Sequence, residues 1–161
     1  MIVIVMGVSG SGKTTVGKLL ATSLNWDFSD ADDFHSAANI EKMSRGMALD
    51  DADRMPWLLE LQSAIAHWLQ AKKNVMLACS ALKATYRDLL WVDRMQIKLV
   101  YLKGDFELIS QRLQQRSNHY MKANLLSSQL ADIEEPQNAM IVDAAQPPEV
   151  IVGQIRSHLE F

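Results

Sequence analysis

The chain has 161 residues, 48% apolar and 22% charged, with a net charge of −3. That balance fits one globular domain with a full core and offers no basic surface for nucleic acid or an anionic membrane. No apolar stretch approaches the roughly 20 residues of a membrane span, and the single cysteine, Cys79, excludes an internal disulfide and points to a reducing cytoplasm.

The first element predicted is a strand, Ile2–Met6, without the basic region and cleavage site of a signal peptide. It runs into Gly7, Val8, Ser9, Gly10, Ser11, Gly12, Lys13 and Thr14, which fill the phosphate-loop pattern G-x-x-x-x-G-K-[ST] between a strand and a helix. Glycines let backbone N–H groups curl around a phosphate chain, and the helix predicted over 13–24 adds the positive end of its dipole. Lys13 is placed to reach the outer phosphates and Thr14 to offer its hydroxyl to Mg²⁺.

A second strand, 26–30, ends in Asp30, Ala31, Asp32 and Asp33. Two residues apart on a strand, Asp30 and Asp32 should share a face. One carboxylate can then hold Mg²⁺ and the other, Asp32, can accept a proton from an attacking hydroxyl. Asp33 is expected to cap the next helix. Arg54 stands before a helix over 57–70 whose start Pro56 marks, and can clamp a carboxylate or polyol in bidentate fashion. Trp57, Leu61, Ala64, Ile65 and Trp68 form the apolar stripe of that helix.

The third strand, 74–79, ends in Cys79 and Ser80 rather than in the acidic residue usual for a metal-binding strand of this class, so metal binding leans on Thr14 and Asp30. Cys79 reads as a small core residue. A helix over 84–92 follows, where Lys83 and Arg87, four apart, suit an anionic substrate group. A fourth strand spans 97–103. The helix after it, 105–116, begins near Asp105, buries Phe106, Ile109 and Leu113, and carries Arg112 and Arg116 one turn apart. Those arginines precede the polar run Ser117, Asn118, His119 and Tyr120, and fit a lid over a transferring phosphoryl group. A fifth strand, 139–143, and a helix over 148–160 close the chain. Alternation of strands buried on both faces with helices predicts a three-layer α/β fold with right-handed crossovers and a ligand at the carboxyl edge of the sheet.

Taken together, these motifs resemble the gluconokinase family of P-loop small-molecule kinases. The matching stretches are 6–14, 30–35, 39–43, 53–58, 79–83 with 86–89, 101–104 and 134–136, so the resemblance spans nearly the whole chain. The run from Cys79 through Ser80, Ala81, Leu82 and Lys83 to Tyr86, Arg87 and Asp88 is its most specific part. The resemblance implies an adenylate-kinase-like P-loop NTPase fold, a five-stranded parallel sheet with helices on both faces and a small lid at about 112–130, in a single domain over 1–161. It implies Mg²⁺-dependent transfer of the ATP γ-phosphate to the 6-hydroxyl of D-gluconate, giving 6-phosphogluconate for sugar-acid catabolism and the pentose phosphate pathway. Residues 7–15, Thr15 included, would hold ATP together with Arg112 and Arg116. Lys13, Asp32 and Arg116 would be catalytic. Asp32, His35, Arg54, Lys83, Arg87 and His119 would meet gluconate, and Thr14 and Asp30 the metal. A homodimer is compatible with the resemblance; nucleic acid and membrane partners are not expected. The chain departs from the family at Asn118 and Tyr120, where a Gly-His-Phe lid is common, and at Ala48, where proline is usual.

A shikimate-kinase-like reading shares the phosphate loop, the D-x-D and an arginine before a helix. It lacks support after the third strand, where Cys79, Ser80 and Ala81 replace the expected glycine triplet. A regulatory nucleotide-binding module without catalysis should have lost a chemical residue, and Lys13, Thr14, Asp30 and Asp32 are all present.

Overall fold

The computed structural model describes residues 1–115 and 123–161. Five parallel strands, β1 (Ile2–Met6), β2 (Asp27–Asp30), β3 (Val75–Ala78), β4 (Ile97–Lys103) and β5 (Met140–Asp143), form one sheet in the order β2-β3-β1-β4-β5. Helices α1 (Lys13–Leu24), α2 (Ala37–Ser44), α3 (Asp51–Gln70), α4 (Ala84–Leu90), α5 (Phe106–Gln114), α6 (Ala123–Asp132) and α7 (Pro148–Leu159) connect and flank it.

Strand alternation divides the core. Ile2, Ile4 and Met6 of β1 pack with Trp57, Leu58, Leu61 and Ile65 of α3 and with Tyr86 and Leu90 of α4. Val3 and Val5 face the other way, onto Val16 and Leu20 of α1 and Ile151 and Ile155 of α7. All five β1 side chains are buried, as a central parallel strand covered on both faces requires. Between the strands that flank β1, the chain reverses the direction of its crossovers, and the phosphate loop leaves β1 at that point.

Gly7 makes the departure. It sits at φ +152, and a Cβ there would lie 2.9 Å from the Leu102 carbonyl oxygen and 2.6 Å from Ser11 Oγ. A carbonyl held in the sheet cannot withdraw, so Gly7→Ala should destabilise the fold by about 2 kcal/mol or more through strain and overpacking. Urea denaturation of the variant beside the wild type checks this; an unchanged midpoint would remove the constraint.

The expected strands all occur, with ends within one residue. Four expectations on the helices change. The helix expected from residue 57 starts at Asp51, because Asp50 and Asp53 form a reciprocal capping box. Pro56 therefore lies inside α3, where, lacking an N–H, it forfeits a bond to the carbonyl of Ala52, an exposed residue. Asp33 caps nothing: Ala31–Phe34 is a short 3₁₀ turn capped by Asp30, and Ser36 caps α2 through the Asn39 amide at 3.1 Å. Phe106 is 48% exposed; as the first residue of α5 it overhangs the core that Ile109 and Leu113 enter one and two turns later. Helices α2 and α6 had no counterpart among the expected elements.

Candidate active site

Two clefts flank the phosphate loop. The first is lined by Ser9 and Lys13 of the loop region, Asp32, His35, Arg54 and Trp57, among others. The second lies on the other side of the loop, against Gly10, Ser11, Gly12, Thr15, Arg112 and Gln146.

Lys13 Nζ donates to the Val8 carbonyl at 3.0 Å, across the loop. Thr14 Oγ1 donates to Asp30 Oδ2 at 3.0 Å, while Asp30 Oδ1 accepts from the Asp32 backbone N–H at 2.9 Å. Strand alternation is not what relates the two aspartates, since β2 ends at Asp30 and Asp32 belongs to the 3₁₀ turn. That turn leaves the Asp30 carboxylate against the start of α1 and puts Asp32 in the first cleft with Lys13. Burial pushes the Asp30 carboxyl above the usual carboxylate range, against the opposing pull of the Asp32 N–H, the Thr14 hydroxyl and Lys13. A carboxylate beside a hydroxyl is an oxygen donor pair that suits Mg²⁺, which takes few protein oxygens and completes its shell with water and phosphate. Among the described residues no group of three or more His, Cys, Asp or Glu side chains is placed to hold a metal ion.

Arg54 lies in the first turn of α3, 7% exposed. Its Nη1 donates to the Tyr86 hydroxyl at 2.9 Å and to Asp132 Oδ2 of α6 at 3.1 Å. One guanidinium thus ties α3, α4 and α6 together at the cleft wall. A surface pair with Asp50 or Asp51 is not formed; Asp51 instead accepts from Lys83 Nζ at 3.0 Å and from the Tyr86 hydroxyl. His35 stacks on Trp57, with ring centroids 4.3 Å apart and planes at 12°, and Trp57 Nε1 donates to the Ala31 carbonyl at 2.7 Å. Burial lowers the His35 pKa, with Asp32 opposing and Arg54 adding to the shift.

Lys83 and Arg87 are not brought into the cleft. Lys83 is engaged with Asp51. Arg87 is buried, and its Nη1 donates to the carbonyls of Ala81 at 2.8 Å and Leu82 at 3.0 Å. Ala81 occupies the left-handed region at φ 45, and Arg87 braces this turn from within. Arg112 reaches the loop from α5, donating to the Ser11 carbonyl at 3.2 Å and to Ala144 O at 2.6 Å. Arg116 and His119, with Asn118 and Tyr120, lie outside the described residues.

Several cleft residues carried no local signal. Gln129 of α6 accepts from the Ser9 backbone N–H at 2.8 Å, across 120 positions of sequence. Met43, Leu49 and Leu125 form a small apolar cluster between α2, the following loop and α6, and all three line the cleft. Trp57 was legible only as core; it is 3% exposed and also forms a wall of the cleft.

Cys79 is buried at the end of β3, and burial pushes its thiol up to about 12. At pH 8 only about one part in ten thousand would then be the reactive thiolate. The folded chain should not react with Ellman's reagent, and one thiol per chain should appear in urea. Prompt reaction without denaturant would contradict the buried placement.

The family model described as Shikimate kinase matches residues 9–160. A gluconokinase from Gluconobacter oxydans is 41% identical over 160 residues, covering 98% of this chain and 90% of that protein. Among solved structures, an unliganded sugar kinase from Janibacter is 41% identical with a TM-score of 0.92, covering 99% of this chain and 94% of that one. A gluconokinase from Sinorhizobium meliloti is 36% identical with a TM-score of 0.81, covering 99% and 95%.

Proposed function

The chain belongs to the shikimate kinase-like family and, within it, to the gluconokinases, and from that premise we propose how its residues transfer the γ-phosphoryl group of ATP to the 6-hydroxyl of D-gluconate. The products are ADP and 6-phosphogluconate. The observation that carries the residue roles is the first cleft, where the phosphate-loop lysine, a carboxylate and a buried arginine line one space.

ATP lies along the loop, its phosphates on the backbone N–H groups of residues 7–15 and its base in the second cleft. Gln146 Oε1 there is buried without a partner among the described residues, an acceptor suited to an amino group. Arg112 closes that side. Thr14 and Asp30 hold Mg²⁺, which when bound neutralises phosphate charge. In the first cleft Asp32 orients the 6-hydroxyl and takes its proton as the oxygen attacks phosphorus; the bond to the ADP oxygen breaks in line. Lys13, with Arg116 from the lid, stabilises charge on the transferring group. Arg54 and His35 hold the gluconate carboxylate and polyol. Lys83 and Arg87 are reassigned to support: the first joins α3 to α4 through Asp51, the second braces the turn after β3. His119 stays with the lid, at about 112–130 of a single domain over 1–161.

The enzyme works in the cytoplasm, in keeping with its lone buried thiol; no helix among the described residues is long and apolar enough to cross a membrane. A homodimer is part of the same reading, and gel filtration with light scattering measures it.

A coupled ADP assay with Mg-ATP and D-gluconate, beside shikimate, glucose and a blank without acceptor, tests the reaction. Turnover with gluconate and 6-phosphogluconate as product is the expected result. Turnover only with shikimate would reverse the choice within the family, and ATP binding without turnover on any acceptor would favour a regulatory module.

A further inference from the structure

We propose that Asn39 is a positioning residue that holds His35 in the Nε2–H tautomer, so that the imidazole presents a hydrogen-bond donor to the acceptor substrate; this rests on the assignment of the first cleft to gluconate. Asn39 is 8% exposed, and its hydrogen bonds run to Ser36, His35 and Asp53. The Ser36 cap fixes its place in the first turn of α2. Its side-chain Nδ2 donates to the Asp53 carbonyl at 2.9 Å. A carbonyl oxygen can only accept, so chemistry decides which end of the amide faces Asp53.

The same Nδ2 stands 3.4 Å from His35 Nδ1. An NH₂ group facing a ring nitrogen requires a lone pair there, which leaves the proton on Nε2. Stacking on Trp57 fixes the ring plane, and the Trp57 bond to Ala31 fixes the tryptophan. The groups whose charge acts on the ring are Asp32 and Arg54, and burial favours its neutral form. The carboxylate of gluconate can only accept and its hydroxyl oxygens can accept as well as donate, so a neutral ring that donates through Nε2 suits either without adding charge beside Arg54. The alternative tautomer would turn a lone pair toward the substrate and leave the Asn39 amide facing an N–H.

Long-range ¹⁵N–¹H NMR of the whole chain with labelled histidines reads the tautomer without any substitution. The expected result is a protonated Nε2 and an unprotonated Nδ1 at His35; a dominant Nδ1–H form would overturn the proposal. Asn39→Ala should mix the tautomers and raise KM for gluconate roughly three- to tenfold, the worth of one neutral hydrogen bond, with KM for ATP unchanged. An unchanged tautomer and KM, or equal rises in both KM values, would overturn it too. The expected tautomer together with no turnover of gluconate by the wild type would uphold the ring assignment and overturn the substrate reading beneath it. Should Asn39→Ala not fold, the wild-type spectrum still decides.

Discussion

Asp32→Asn will lower kcat by about 10²–10⁴-fold, the usual contribution of a positioned general base, with little change in ATP affinity. The amide keeps the size of the carboxylate and cannot take the proton of the gluconate hydroxyl. The backbone contacts of Asp32 survive, since its N–H donates to Asp30 and its carbonyl accepts from the His35 N–H at 3.2 Å. The 3₁₀ turn should therefore stay intact, and the loss should be chemical. Single-turnover kinetics with saturating ATP and gluconate, beside a nucleotide titration, separate the two effects. Turnover near the wild-type rate would remove Asp32 from the role of base. Asp30 is no substitute, because its oxygens are engaged by Thr14 and the Asp32 amide.

Lys13→Ala will reduce kcat by about 10²–10³-fold, the scale seen when one charge-stabilising donor is removed from a phosphoryl-transfer site. It should also weaken nucleotide binding if, as proposed, its ammonium meets the outer phosphates once ATP displaces the bond to Val8. The two variants thus differ in signature: one spares ATP affinity and the other does not. Lys13 is only partly buried, and its bond to the Val8 carbonyl lies within the loop, so the fold should tolerate the change. Retention of more than a tenth of wild-type activity would mean that the nucleotide lies elsewhere.

The parts of this site that were legible in the sequence are those whose geometry is local. A phosphate loop is eight consecutive residues whose backbone does the binding, and the flanking strand and helix follow from adjacent periodicity. The strands were legible because burial on both faces leaves near-continuous apolar runs, as in Val75–Ala78. Helix α2 escaped notice because only Asn39 and Met43 of its eight residues are buried, too few to make a stripe. The partners of Arg54 could not be read at all, since Asp132 lies 78 positions away and meets it only through the packing of α6. Spacing also misled: i, i+4 suggested a shared cationic face for Lys83 and Arg87, yet the inward carbonyls of Ala81 and Leu82 draw the arginine into the protein. The strand argument placed Asp32 toward the phosphate loop, and Asp32 does line a cleft with Lys13, but by way of a 3₁₀ turn, because the strand had already ended.

The register of β1 carries a consequence for synthesis. Ile2 pairs with Val75 on one side and with Ile97 on the other. The strand that launches the phosphate loop precedes both of its neighbours in the chain, so neither exists when it leaves the ribosome. Parallel pairing across such separations is slow, and an unpaired apolar strand is prone to wrong partners while it waits. Nascent chains stalled before β4 has emerged should fail to bind ATP, and capture of such chains on immobilised nucleotide would show the loop forming without its sheet. The phosphate loop, encoded ahead of the strands that hold β1 in place, becomes usable only when those later strands have been made.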